Sequence, residues 1–143
     1  TAVHQRIINA AHDVAEGGLA VALAEMCIQA SSGAVGCQVN LSLQPGRVDG
    51  QLFGETQSRI LVTASRDNVD RLQALALEND VPVQILGEVT ADGRFCLSVL
   101  QPGQDEEMGD EDKILENKLV DLPVEELRRE WDDGLKRWLS PKS

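Results

Sequence analysis

Glu88-Val89-Thr90-Ala91-Asp92-Gly93-Arg94-Phe95-Cys96-Leu97-Ser98-Val99 sets two runs of strand-forming residues on either side of an Asp-Gly pair. Gly tolerates the positive φ that a tight reversal demands, so the stretch predicts an antiparallel hairpin. Val81, Val83 and Ile85 alternate just upstream and predict the start of a further strand. Working outward, Cys37, Val39, Leu41 and Leu43 alternate over residues 36–43, with Asn40 and Ser42 on the other face, and predict another strand. The β-branched run Arg59-Ile60-Leu61-Val62-Thr63-Ala64 predicts a central strand.

Helical signals separate these strands. Val3, Ile7, Ile8 and Ala11 recur at helical spacing, so residues 2–11 read as a helix. Leu19-Ala20-Val21-Ala22-Leu23-Ala24-Glu25-Met26-Cys27-Ile28 is nearly free of β-branching and apolar all round; it reads as a buried helix that Ser31-Ser32-Gly33 ends near residue 30. Asp67-Asn68 can cap a helix whose apolar face is Val69, Leu72, Leu75 and Ala76. Pro123 suits the first turn of a last helix over 123–139, with Val124, Leu127, Trp131, Leu135 and Trp138 as its apolar stripe. Pro45-Gly46 reads as a turn, and residues 48–57 as a mixed polar stretch. A hairpin together with helices between strands gives an α+β fold: a mixed, largely antiparallel β-sheet with packed helices.

Size and charge narrow the function. The 143 residues make a single domain, long enough to bury roughly two thirds of the unfolded surface. Apolar residues make up 42% and charged residues 26%, an ordinary globular balance. With 13 Lys and Arg against 24 Asp and Glu, the net charge is −11, so neither a nucleic acid nor a membrane surface is expected as the main partner. The longest apolar run is too short for a membrane span and the N-terminus lacks a signal pattern, which predicts a cytoplasmic protein. Residues 101–118, dense in Asp and Glu, read as an acidic loop, and their spacing does not match a calcium loop. Cys27, Cys37 and Cys96 are widely spaced and read as reduced thiols used as small hydrophobes, so no metal site is expected.

Two segments can carry chemistry. His12-Asp13-Val14-Ala15-Glu16-Gly17-Gly18 opens the apolar helix, and glycines there let a ligand approach free backbone N–H groups. Asp13 and Glu16 would repel a bare phosphate, which leaves a Mg²⁺-bridged phosphate, recognition of hydroxyls and amines, or a capped helix start with no ligand. Leu52-Phe53-Gly54-Glu55-Thr56-Gln57-Ser58-Arg59 leads into a strand and gathers an acid, an amide, hydroxyls and a guanidinium. Arg59 can pair with Glu55, closing the strand start, or meet a phosphate. No nucleophile–base pair, Walker A loop or G-x-G-x-x-G is present, so no catalytic residue is expected in this chain.

Together, residues 11–26, Gly33-Ala34 and 52–63 resemble the C-terminal-type domain of the aminoimidazole ribonucleotide (AIR) synthetase superfamily, and within it the branch that makes formylglycinamidine ribonucleotide. The resemblance covers roughly residues 3–100. It implies one flanking domain, the last of a longer chain in which paired N-terminal-type domains form a central barrel. It also implies an ATP- and Mg²⁺-dependent amidoligase of purine synthesis that uses glutamine-derived ammonia and works with a glutaminase subunit and a small PurS-type subunit. The catalytic histidines and most Mg²⁺ ligands of that enzyme lie in the absent domains, so the piece alone is expected to be inert. His12, Asp13, Gly17, Gly18, Glu55, Thr56, Gln57 and Arg59 are carried over as substrate- or nucleotide-pocket candidates. Glu55-Thr56-Gln57 matches a substrate-contacting Glu-Ser-Gln loop, with Thr for Ser, but in the pseudo-equivalent copy; the resemblance leaves open whether it lines the catalytic site, an auxiliary non-catalytic nucleotide site or no site. The alternatives are another member of the superfamily and a free-standing ligand-binding or regulatory module.

Overall fold

A computed structural model of the chain describes residues 5–30, 35–42, 47–55, 58–102 and 114–139. Its elements are β1 (Ile8–Asp13), α1 (Gly18–Ile28), β2 (Gly36–Ser42), α2 (Val48–Phe53), β3 (Ile60–Ala64), α3 (Arg66–Glu78), β4 (Gly87–Thr90), β5 (Arg94–Pro102), β6 (Ile114–Pro123) and α4 (Val124–Leu139). The fold is α+β, and every strand pairing but one is antiparallel among the described residues. The chain divides into two compact units, Thr1–Leu23 with Asp49–Ile85, and Ala24–Val48 with Leu86–Ser143.

In the first unit β1 and β3 form a two-stranded antiparallel ribbon, with His12 opposite Leu61 and Asp13 opposite Ile60. The helix expected over 2–11 is therefore a strand from Ile8 on. Short alanine-containing segments carry a weak helical preference, and a helix nucleus costs more than this one can recover locally, so pairing with β3 prevails. Nor is β3 central: β1 is its single partner among the described residues, and Ile60 and Val62 stay 67% and 40% exposed. A β-branched run signals extended backbone, not how many neighbours it acquires. The unit buries Ile7, Val14, Ala22, Leu23, Leu52 and Leu61. The polar stretch 48–57 begins with the short helix α2, hidden in the sequence by Gly50. Ser65 rather than Asp67 or Asn68 occupies the N-cap of α3; the Asn68 side chain instead donates to the Ile7 carbonyl at 3.4 Å.

The second unit holds a four-stranded sheet of order β4-β2-β5-β6. The Asp92-Gly93 reversal does not make a hairpin, because β4 and β5 lie on opposite sides of β2, antiparallel and parallel to it. The reversal instead crosses the end of β2 at Gly36, where any side chain would collide with the Arg94 backbone and Asp92. Asp92 Oδ1 holds the arch by accepting from Thr90 Oγ1 at 2.6 Å and Arg94 N at 3.0 Å, and Gly93 supplies φ +66°. The local sequence of such an arch and of a two-residue hairpin is the same; only the intervening strand differs. Residues 81–86 carry no regular structure, and Val81, Val83 and Ile85 remain exposed.

Cys37, Val39 and Leu41 of β2 and Phe95, Leu97 and Val99 of β5 form the buried face of this sheet. Within the expected acidic loop 101–118, the ends are strand: Pro102 of β5 pairs with Ile114 of β6. Residues 103–113 lie outside the described residues, as do Pro45-Gly46 and Ser31-Ser32-Gly33. Pro123 closes β6 instead of opening the helix, and the Val124 N–H donates to the Gly93 carbonyl at 2.8 Å. Among the described residues no helix is long and apolar enough to cross a membrane.

Candidate functional site

The chemistry-bearing segments belong to the first unit. β1 ends at Asp13, and the next residue, Val14, is buried and donates its N–H to the Arg59 carbonyl at 3.0 Å. That bond ties the exit of β1 to the entry of β3. The turn that follows uses Gly17 at φ +76° and Gly18 at φ +75°, a region closed to most L-residues. α1 begins within it, at Gly18, with no acidic residue in its own first turn.

α2 closes over this turn. A Cβ on Gly18 would lie 2.6 Å from the Phe53 carbonyl carbon and 2.7 Å from the Leu52 oxygen, so the backbones touch there. Just beyond, the Gly17 N–H donates to Glu55 Oε1 at 3.3 Å. The Glu55 carboxylate thus supplies from 38 positions away the negative charge that favours a helix N-terminus. Arg59 Nη2 donates to the Gly54 carbonyl at 3.2 Å, not to the Glu55 carboxylate, while its buried Nε has no hydrogen-bond partner among the described residues. His12 Nδ1 lies 2.8 Å from the Asp13 carbonyl, an arrangement that requires the proton on Nδ1.

The structure therefore brings Gly17, Gly18, Glu55 and Arg59 together, with His12 and Asp13 at the strand end leading into the turn. Asp13, Glu16 and Glu55 are exposed. Thr56 and Gln57 lie outside the described residues. The Gly54 carbonyl and the backbone of α2 were not singled out from sequence; no side-chain pattern marks a carbonyl, and a six-residue helix leaves little periodicity to read.

The donor at the helix start already has an internal carboxylate on it, so a phosphate arriving there competes with Glu55. Among the described residues no three His, Cys, Asp or Glu side chains gather closely enough to hold a metal ion. The arrangement suits neutral or hydroxylic groups and the fixing of two chain segments to each other.

A separate polar cluster lies on the second unit, where Asp121 accepts from Arg94 Nε at 2.8 Å, Lys118 Nζ at 3.0 Å and Cys96 Sγ at 3.3 Å. Lys118 and then Arg94 hold the Asp121 carboxyl well below the usual carboxylate range. Desolvation, followed by the Asp121 contact, pushes the Cys96 thiol up.

Residues 1–99 match the family described as AIR synthase related protein, C-terminal domain. The phosphoribosylformylglycinamidine synthase subunit PurL of Symbiobacterium thermophilum is 54% identical over 138 residues, covering 96% of this chain and 17% of that protein. The subunit of the same name from Synechocystis is 37% identical over 138 residues, covering 96% and 16%. Among solved structures, Thermotoga maritima PurL complexed with FGAR superposes with a TM-score of 0.65 at 20% identity, over 89% of this chain and 19% of that one. The same protein complexed with ATP gives 0.63 at 20% identity, over 89% and 20%. This chain spans about a sixth of the length of the curated relatives it matches.

Proposed function

The chain belongs to the AIR synthase related protein, C-terminal domain family, and from that premise we propose that it is the C-terminal domain of a phosphoribosylformylglycinamidine synthase of the PurL kind. The whole enzyme would convert formylglycinamide ribonucleotide, ATP and glutamine-derived ammonia into the amidine in purine biosynthesis, in the cytoplasm. Its partners would be the remaining domains of the same subunit, a glutaminase subunit and a small PurS-type subunit. The observation that carries this reading is the 54% identity to the Symbiobacterium subunit across nearly the whole chain.

The structure supports a supporting role for this domain rather than a catalytic one. Its candidate residues hold one another: Glu55 on the Gly17 amide, Arg59 on the Gly54 carbonyl, and α2 on Gly18. Such contacts fix a wall of a site whose reacting groups come from elsewhere. His12, Asp13, Glu55, Thr56, Gln57 and Arg59 are the residues proposed to line it. ATP and Mg²⁺ belong to the parent enzyme in this reading, with the metal held by other domains.

The test is a segment exchange. The Symbiobacterium subunit, with its matching segment replaced by this chain, is assayed for ATP- and ammonia-dependent amidine formation. Activity within about tenfold of the parent is expected, because a change below about 1.4 kcal/mol in the barrier stays within that factor. A chimera that folds and assembles yet makes no amidine overturns the reading, as does amidine formation by the 143-residue chain alone.

A further inference from the structure

Aspartate followed by glycine occurs at Asp49-Gly50, Asp92-Gly93 and Asp133-Gly134. At such a pair the glycine nitrogen can close a ring on the aspartate side chain, because no Cβ hinders its approach. Closure has to turn the shared peptide out of helical dihedrals. Asp49-Gly50 lies in α2 and Asp133-Gly134 in α4, so closure there would break the helix around it. Asp92-Gly93 lies in the arch between β4 and β5, outside helix and strand, with Asp92 exposed to water. The fold thus separates three pairs that are alike in sequence. One further contact bears on the exposed pair: Asp92 Oδ1 accepts from Thr90 Oγ1 at 2.6 Å and from the Arg94 N–H at 3.0 Å.

We propose that Asp92-Gly93 is a self-modification site, the pair at which the folded chain isomerises to isoaspartate, and that the Thr90 hydroxyl restrains the reaction. The Gly93 nitrogen bonds to Asp92 Cγ of the protonated side chain. The Cγ–OH bond breaks, and that hydroxyl leaves with the amide hydrogen as water, closing a five-membered imide. Water then adds at the imide carbonyl that was the Asp92 main-chain carbonyl. The bond from that carbon to the Gly93 nitrogen breaks, and the chain now runs through Cβ and Cγ. One water is lost and one gained, so composition is unchanged and water is the sole co-reactant. Donors to the carboxylate favour its ionised form, whereas ring closure needs the protonated one. The Thr90 and then the Arg94 hydrogen bonds hold the Asp92 carboxyl below the usual carboxylate range. The same bonds keep Cγ from swinging toward the Gly93 nitrogen. The product lengthens the arch by one backbone carbon where it passes Gly36, a place so close that a Cβ on Gly36 would lie 2.8 Å from Asp92 Oδ1.

The experiment ages the chain in neutral buffer, with and without urea, and digests it with trypsin. Residues 48–59, 72–94 and 130–136 are separate tryptic peptides that each hold one of the pairs. Isoaspartate shifts a peptide's retention at constant mass, and fragmentation tells Asp92 from Asp80 within 72–94. In urea all three peptides are expected to gain an isomer. In the native chain isomer is expected at Asp92 faster than at Asp49 or Asp133, and more slowly than at Asp92 in urea. Thr90→Val is expected to raise the native yield at Asp92 several-fold and to leave the urea yield unchanged, while Thr90→Ser, which keeps the donor, behaves like the parent. Circular dichroism checks that both variants fold, and the choice among the three pairs is read on the parent chain without any variant. Native isomerisation at Asp49 or Asp133 as fast as at Asp92 overturns the proposal. So does a native parent chain that gains no isomer at Asp92 while the urea sample does, or a folded Thr90→Val chain that isomerises no faster than the parent.

Discussion

Gly17 and Gly18 stand together in sequence, and both have positive φ, but space constrains them differently. At Gly17 an added Cβ would meet the Val21 side chain at 2.8 Å, which can shift in part. At Gly18 it would meet the backbone of α2 at 2.6 Å, which cannot shift without moving the helix. Gly18→Ala therefore combines left-handed strain with overpacking and is expected to cost about 2–4 kcal/mol by urea denaturation. Gly134→Ala, in α4 with nothing within 4 Å of the new carbon, is expected to gain up to about 1 kcal/mol in the same assay. Equal effects at the two positions would mean that α2 does not close on the turn. The residue types of this turn were legible from sequence. Their partners were not, because the donor to Glu55 is a backbone amide 38 positions away.

Among the elements, α1 matched its sequence most closely. None of its residues is fully exposed, as expected for a helix apolar on every side. β1 is a strand where helical spacing predicts a helix, because its residues carry no strong local preference and its identity comes from β3. Asp92-Gly93 forms an arch rather than the expected hairpin, because turn chemistry fixes the local reversal and says nothing of what passes beneath it. Ends of elements depend on such distant contacts too. Arg128 caps the last turn of α1 from α4, a charged donor on a carbonyl, while the neighbouring Arg129 is exposed. Arg128→Ala is expected to lower stability by about 1–2 kcal/mol, against less than about 0.5 kcal/mol for Arg129→Ala. Matching losses for the two variants in a denaturant titration would remove the cap from the account.

At the scale of the whole molecule, 24 acidic against 13 basic residues leave a self-repelling surface. Screening shortens the reach of that repulsion to about 10 Å at 0.1 M salt. Raising sodium chloride from about 10 mM to about 300 mM is accordingly expected to raise the thermal midpoint by a few degrees, read by circular dichroism; a fall would mean that ion pairs such as Arg94–Asp121 dominate instead. The sequence by itself determined the α+β class, the apolar α1 helix, the amphipathic positions of α3, and the two polar segments that meet at the turn. Each of these depends on composition or on spacing within about a dozen neighbouring residues. Only the tertiary structure decided that residues 8–13 are a strand, that β2 lies between β4 and β5, and that Glu55 sits on the Gly17 amide. Those outcomes depend on hydrogen bonds between segments tens of residues apart, where the competing local conformations differ by less free energy than the long-range pairing supplies.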